Sequence, residues 1–166
     1  MNFRAPTESC APVVLVFGGA DPSGGSGLQA SIETLCSHSC HPTTVTTAVT
    51  VQDSDDFHGY APLDPEIIVE QARAILEDMP VSTISIGLLG NVEAVEAIHS
   101  ILIDYPDIPV VTNPVIISDT GTLLTDSDVA EAIVNLILPV TTVLTLNSQE
   151  ARILSPGADS IEACAM

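Results

Sequence analysis

The residues with chemical potential sit in polar turns that follow short apolar runs. The most concentrated stretch is Val13–Ala30, VVLVFGGADPSGGSGLQA, in which Val13–Phe17 gives way to a loop holding five of the chain's ten glycines with Asp21, Ser23 and Ser26. A strand, a glycine-rich turn and a helix start are a common way to bring backbone N–H groups up to an anionic or polar ligand. Further polar groups recur at the ends of later apolar runs: Gln52 after Thr43–Val51, Asn113 after Pro109–Thr112, and Asn147 with Glu150 after Thr142–Leu146.

Several familiar chemistries are excluded. No G-K-[ST] follows the glycines and the sequence contains no lysine, so the loop is not a Walker A phosphate cradle. Gly25-Ser-Gly27-Leu-Gln-Ala30 fits a dinucleotide G-x-G-x-x-A pattern, but that fingerprint starts at the strand end, and here Gly18–Ser23 intervenes. Cys36, His38, Cys40 and His41 lie close in sequence, yet with Cys10 and Cys164 they match no standard zinc spacing and read as ordinary thiols beside a turn. His99, alone on a helix, reads as a surface or partly packed side chain.

The elements that must carry these residues alternate. Strands are expected at Val13–Phe17, Thr43–Val51, Thr83–Leu89, Pro109–Thr112 and Thr142–Leu146, from short β-branched or apolar runs. Helices are expected at Leu28–Ser37, from Asp64-Pro65 to Met79, at Val92–Ile103, from an Asp126–Asp128 cap over Val129–Leu138, and from Asn147 to Leu154. Gln52–Leu63, acidic and holding Gly59 and Pro62, reads as a loop. Strands alternating with helices imply an α/β fold, a three-layer α/β/α sandwich around a mainly parallel sheet. Ligands of such sheets sit beyond the C-terminal strand ends, where the polar residues above cluster. Residues 1–12 read as a flexible leader and 13–166 as a single domain, with a loop-like or weakly helical stretch after Ser155.

Composition agrees. At 166 residues with 46% hydrophobic content the chain fits one globular domain, and with aromatics at 3% the core must be Val, Ile, Leu and Ala, the usual filling of a covered parallel sheet. Three arginines (Arg4, Arg73, Arg152) against 22 acidic residues give a net charge of −19, which argues against nucleic-acid or anionic-membrane partners and for a solvated acidic surface. No apolar run approaches membrane-spanning length and no secretory signal is evident, so the cytoplasm is the expected location.

The run Gly19–Ala30 resembles the N-terminal signature of the hydroxymethylpyrimidine and phosphomethylpyrimidine kinases of thiamine biosynthesis, members of the ribokinase-like superfamily. Further pieces occur in the family's order. Thr47–Gln52 resembles the strand that ends in a pyrimidine-reading glutamine, and Ile86–Leu89 resembles its I-G-M-L strand end. Asn113-Pro114-Val115 falls where the family has D-P-V, and Leu146–Ala151 falls on its T-P-N-x-x-E-A element. The resemblance spans roughly residues 13 to 154 and implies ATP- and Mg²⁺-dependent phosphorylation of a small-molecule aminopyrimidine alcohol or its phosphate.

It also implies roles. Gly19, Asp21, Gly25, Gln52 and Leu88 are the expected substrate-binding residues. Gln52 can donate and accept at once, which suits an aminopyrimidine edge. Asn113, Asn147 and Glu150 are expected on the nucleotide and phosphate side, with Glu150 holding Mg²⁺ through water, an oxygen donor of the kind that ion takes. Simpler readings stand beside these: a helix N-cap for Asn147 and a polar strand end for Gln52.

Four positions depart from the family pattern and each removes positive charge or metal-binding capacity. Ser85 and Asp119 stand where the family has lysines, Asn113 where it has aspartate, and Leu146 where it has proline. The family's later G-T-G-[CD]-like segment, which carries the general base, has no counterpart: after Gly157 no glycine occurs, and Cys164 lacks the surrounding motif. The expectation is thus a ribokinase-like domain incomplete at its C-terminal side, whose catalytic base lies in sequence not present and which pairs as a homodimer. The alternatives are a non-catalytic pyrimidine-binding or regulatory module and a kinase of another small alcohol such as pyridoxal. On any of these the glycine loop is the wall of a neutral pocket.

Overall fold

The computed structural model describes residues 11–118, 121–155, 157–158 and 160. The leader up to Cys10, Asp119 and Cys164 lie outside them, as does most of the stretch after Ser155.

Among the described residues six strands form one sheet in the order β3-β2-β1-β4-β5-β6. β1 (Val13–Ala20) is central and pairs in parallel with β2 (His41–Gln52) and β4 (Val81–Ile86). β5 (Val110–Thr112) and β6 (Val143–Leu144) extend the sheet in parallel, while β3 (Phe57–Pro62) runs antiparallel to β2 at the opposite edge. β1 is buried along nearly its whole length, which is why it reads as an unbroken apolar run rather than an alternation.

The two faces are covered differently. Leu15, Phe17, Val45, Ile84 and Ile86 point to one face and pack there with α2 (Pro65–Asp78), α3 (Val92–Asp104) and α4 (Ser127–Ala132) in the main core. Val14 and Val16 point to the other, where α1 (Gly27–Ser37) covers them with Leu28 and Leu35. The helix starts expected at Pro65 and Val92 are present as drawn from sequence. Asp64, Asn91 and Asp126 each cap their helix by accepting from a backbone N–H two or three residues on, with Pro65 in the first turn of α2.

Four expectations are corrected. Gln52–Leu63 is not a loop: Phe57–Pro62 forms β3, joined to β2 through a tight turn in which Asp53 Oδ1 accepts from the amides of Asp55 and Asp56. An edge strand tolerates Gly59 and Pro62 because one side of its backbone pairs with nothing. β1 runs on through Gly18 and Gly19 to Ala20 instead of stopping at Phe17. β4 ends at Ile86, and Leu88 and Leu89 lie in the following turn. The helix expected over Val129–Leu138 starts earlier and is short, widening into a π turn at Ile133–Ile137 and a 3-10 turn at Leu138–Val140. Pro139 has no N–H for the Asn135 carbonyl, so regular α geometry cannot continue across it.

Candidate functional site

The helix after β1 packs on one face of the sheet and the helix after β4 on the other, and the two strands are neighbours. Connections diverging from adjacent parallel strands leave a crevice at their C-terminal ends. A cavity of about 220 Å³ occupies that crevice, walled by Gly18 and Gly19 of β1, Gly87 and Leu88 after β4, and Gln52 and Phe57 of the β2–β3 hairpin.

Asp21 builds the loop beside it. The side chain is buried, and its Oδ1 accepts from the Ser23 amide at 2.8 Å and the Ser23 hydroxyl at 2.8 Å. Oδ2 accepts from the Ser26 amide at 2.8 Å, the Ser26 hydroxyl at 2.9 Å and, bifurcated, the Ser23 hydroxyl at 2.9 Å. Burial pushes this carboxyl's pKa up, but the hydrogen bonds from Ser23 and Ser26 outweigh it and hold the group below the ordinary aspartate value. The carboxylate is therefore an ionised staple whose acceptor capacity is largely spent on its own loop. From the other side, Gln29 Oε1 accepts from the Asp21 amide at 2.9 Å.

Two glycines make the close approach possible. Gly27 has φ +59°, and a Cβ there would stand 2.3 Å from the Gly19 carbonyl oxygen. A Cβ on Gly19 would meet the Leu88 side chain at 3.1 Å and Thr50 at 3.3 Å. The loop thus folds back on the end of β1 with no room for side chains.

A β-bulge sets the opposite wall. The β1–β2 register shifts between Gly18 and Gly19, which pair with Thr46 and Ala48, leaving Thr47 as the extra residue. Thr47 Oγ1 then donates to the Leu88 carbonyl at 2.5 Å and Thr50 Oγ1 to the Ala20 carbonyl at 3.0 Å. Leu88, Ala48 and Leu124 form a small apolar cluster with Phe57, Tyr60 and Val115. Tyr60 donates its hydroxyl to the Gly90 carbonyl at 2.8 Å, and burial, with a smaller contribution from Asp126, pushes its pKa up, keeping it a donor.

Gln52 lies at the cavity mouth, with Nε2 donating to Ser26 Oγ at 3.0 Å. Outward from it a wider cavity of about 450 Å³ is lined by Gly25, Ser23 and the turn Asp53–Asp56. His58 bonds Asp53 Oδ2 at 2.9 Å, and that bond, with the Asp55 and Asp56 amides, lowers the exposed Asp53 to about 2. Neither Arg73, which pairs with Asp104, nor Arg152 lines these cavities.

Asn113 joins this region to a third cavity of about 380 Å³, which also holds Asn147 and Glu150. Asn147 Oδ1 accepts from the Gln149 and Glu150 amides and caps α5 (Ser148–Leu154), while Glu150 Oε2 accepts back from the Asn147 amide at 3.0 Å. Glu150 Oε1 reaches the Ile116 amide at 3.1 Å, so this buried carboxylate ties the turn after β5 to the start of α5.

Five of the sequence-selected residues, Gly19, Asp21, Gln52, Leu88 and Asn113, line one cavity. Gly25 lies in the adjoining one, and Asn147 and Glu150 on the far side of Asn113. The sequence reading named Ser23 and Ser26 in the loop without giving them a role and missed Gln29, although Asp followed by Ser at the second position is the mark of a side-chain-stabilised turn. Phe57 and Tyr60 were missed with the strand that carries them.

Comparison with known proteins gives a consistent picture. Residues 21–165 match the family described as Phosphomethylpyrimidine kinase. The chain is 36% identical over 147 residues to the hydroxymethylpyrimidine/phosphomethylpyrimidine kinase of Streptomyces coelicolor, covering 88% of this chain and 54% of that protein. Its fold superposes on the phosphomethylpyrimidine kinase of Clostridium difficile with a TM-score of 0.82 at 27% identity, covering 92% of this chain and 66% of the other. The pyridoxal kinase of Staphylococcus aureus in complex with AMP-PCP gives a TM-score of 0.76 at 27% identity, over 93% and 56% of the two chains. The chain spans about half the length of the curated relatives it matches.

Proposed function

Since the chain belongs to the phosphomethylpyrimidine kinase family, we propose that its β1–β4 crevice binds a hydroxymethyl aminopyrimidine, or its phosphate, for ATP-dependent phosphorylation in thiamine biosynthesis. The observation that carries this reading is the convergence of Gly19, Asp21, Gln52, Leu88 and Asn113 on one cavity of small-ring size at the switch point of the sheet. Leu88 and Phe57 offer apolar walls for a flat ring, Gln52 an amide for its polar edge, and Gly19 a backbone that a substrate can approach closely.

Asn113 and the cavity beyond it are the natural seat of the nucleotide's phosphates. Glu150 offers carboxylate oxygens and Asn113 a carbonyl oxygen, the donor chemistry that Mg²⁺ takes while keeping most of its water, whereas the Asn147 oxygen is already engaged by the Gln149 and Glu150 amides. No group of three or more His, Cys, Asp or Glu that could hold a metal converges among the described residues. The ion would therefore be held through nucleotide phosphates and water, with the unused lone pairs of Glu150 accepting from that water. Bound there, it would neutralise charge developing on the transferred phosphoryl group. Among the described residues no helix is long and apolar enough to cross a membrane.

A second reading, a pyrimidine-binding module without turnover, is favoured by one feature: among the described residues no arginine lines the nucleotide side, where phosphoryl transfer calls for positive charge. Calorimetric titration with the aminopyrimidine alcohol and ATP turnover on the same sample separate the two. Binding with turnover supports the kinase, binding alone supports the module, and no pyrimidine binding overturns both. Gln52→Ala is expected to lose about 1–3 kcal/mol of pyrimidine affinity, and an unchanged Kd would refute the role given to the amide.

A further inference from the structure

Ser26 has a hydroxyl that the local backbone does not need. It is the N-cap residue of α1, yet its side chain makes no capping hydrogen bond. Its own amide and the Ser23 hydroxyl already bond Asp21 Oδ2. What the Ser26 hydroxyl does is stand between two groups, 2.9 Å from Asp21 Oδ2 and 3.0 Å from Gln52 Nε2.

The polarity of that arrangement follows from proton counting. A serine hydroxyl has one proton to give, and an ionised carboxylate only accepts. The Ser26 proton therefore goes to Asp21, and the oxygen can meet Gln52 only as an acceptor. Of the two ends of the Gln52 amide, which are alike in shape, only Nε2 can face it. No other described residue bonds the Gln52 side chain, so Oε1 is the end left for a ligand.

We propose that Ser26 is a positioning residue for substrate selection: anchored by Asp21, it locks the Gln52 amide with its carbonyl oxygen free, so that the site selects a ring edge bearing an N–H donor over a same-shaped edge bearing a carbonyl. The inference rests on the pyrimidine-binding reading above and adds to it the residue that sets the sign of the recognition. An aminopyrimidine meets Oε1 with its amino protons. The corresponding pyrimidinone would set carbonyl against carbonyl, unless the amide turned over and left a second proton donor aimed at the Ser26 hydroxyl. Without Ser26 either orientation of the amide is tolerated.

The test is a pair of calorimetric Kd values, for the hydroxymethyl aminopyrimidine and for its counterpart with a ring carbonyl in place of the amino group. Both are measured on the full wild-type chain, Ser26→Ala and Ser26→Thr. Wild type is expected to prefer the amino compound by about tenfold, the factor expected when one ligand hydrogen bond is mismatched. Ser26→Ala should compress the ratio to within about threefold, chiefly by improving the carbonyl compound, whereas Ser26→Thr, which keeps the hydroxyl, should hold it. Compression through improved binding of the disfavoured ligand is an effect that general loosening of the loop does not produce. An unchanged ratio in Ser26→Ala, or a ratio lost equally in Ser26→Thr, overturns the inference while pyrimidine binding stands. A wild-type chain that binds neither compound overturns the functional reading and this inference with it.

Discussion

Replacing Asp21 by asparagine keeps the shape of the side chain and removes its charge. One amide oxygen can still serve the Ser23 amide at the Oδ1 position. The other position becomes an NH₂ group facing the Ser26 amide, which stands 2.8 Å from Oδ2. The Ser23 and Ser26 hydroxyls can rotate to accept, but the Ser26 N–H cannot, and it is left opposite another donor. Orphaning this part-buried amide costs about 1–3 kcal/mol at most. Exchanging charge-assisted bonds for neutral ones at the remaining contacts adds roughly 1 kcal/mol. The expected loss is therefore about 2–4 kcal/mol, a large part of the 5–15 kcal/mol typical of a domain. At an m-value of about 1–3 kcal/mol/M the urea midpoint should fall by roughly 0.7 M or more. The pH dependence gives a second check. Because the folded-state pKa of Asp21 lies below its ordinary value, its contribution is fully present above the unfolded pKa, about 3.9, and is lost as pH falls through the folded value. The penalty of Asp21→Asn should thus be constant between pH 7 and 5 and shrink toward pH 3. A loss under about 1 kcal/mol at pH 7, or one that does not diminish on acidification, would refute the view of Asp21 as a charged staple.

Gly27→Ala should be worse tolerated than any other single-methyl addition in the loop, because its Cβ would sit 2.3 Å from a backbone oxygen at a positive φ. We expect a loss of about 3 kcal/mol or more by thermal or urea unfolding, combining a left-handed penalty of roughly 1 kcal/mol with displacement of the chain; a near-neutral change would mean the loop does not pack on β1 as described. Tyr60→Phe removes the donor to the Gly90 carbonyl and should cost roughly 1 kcal/mol, read as a lower melting temperature without loss of secondary structure by circular dichroism. With Asp53, Asp55 and Asp56 at the cavity mouth and no arginine beside them among the described residues, the pyrimidine alcohol should bind more tightly than its phosphate ester. That gap should narrow at high salt and in Asp55→Asn with Asp56→Asn, and a phosphate ester preferred at low salt would contradict it.

Much of this molecule was legible before any coordinates. The alternation of apolar runs with capped, amphipathic segments determined the α/β class, because burial on both faces of a parallel strand leaves an unbroken apolar run and a helix leaves a period and a cap. Asp64-Pro65 and the Asp126–Asp128 cap mark their helices by local hydrogen bonding alone, so no neighbour was needed to read them. Chain order also placed Asp21 and Asn113 in turns after strands and Gln52 and Leu88 at strand ends. What only the tertiary structure decided is which of those turns meet and what each polar atom then faces. β3 is a strand because β2 pairs with it, not because Phe57–Pro62 has strand propensity. The bulge that turns Thr47 toward Leu88 exists only once β1 and β2 are in register. Asp21 and Glu150, selected as groups that could meet a ligand, are largely occupied in holding the site's loops together. That difference lies in where donors from Ser23, Ser26 and Ile116 end up in space, and linear spacing carries no record of it.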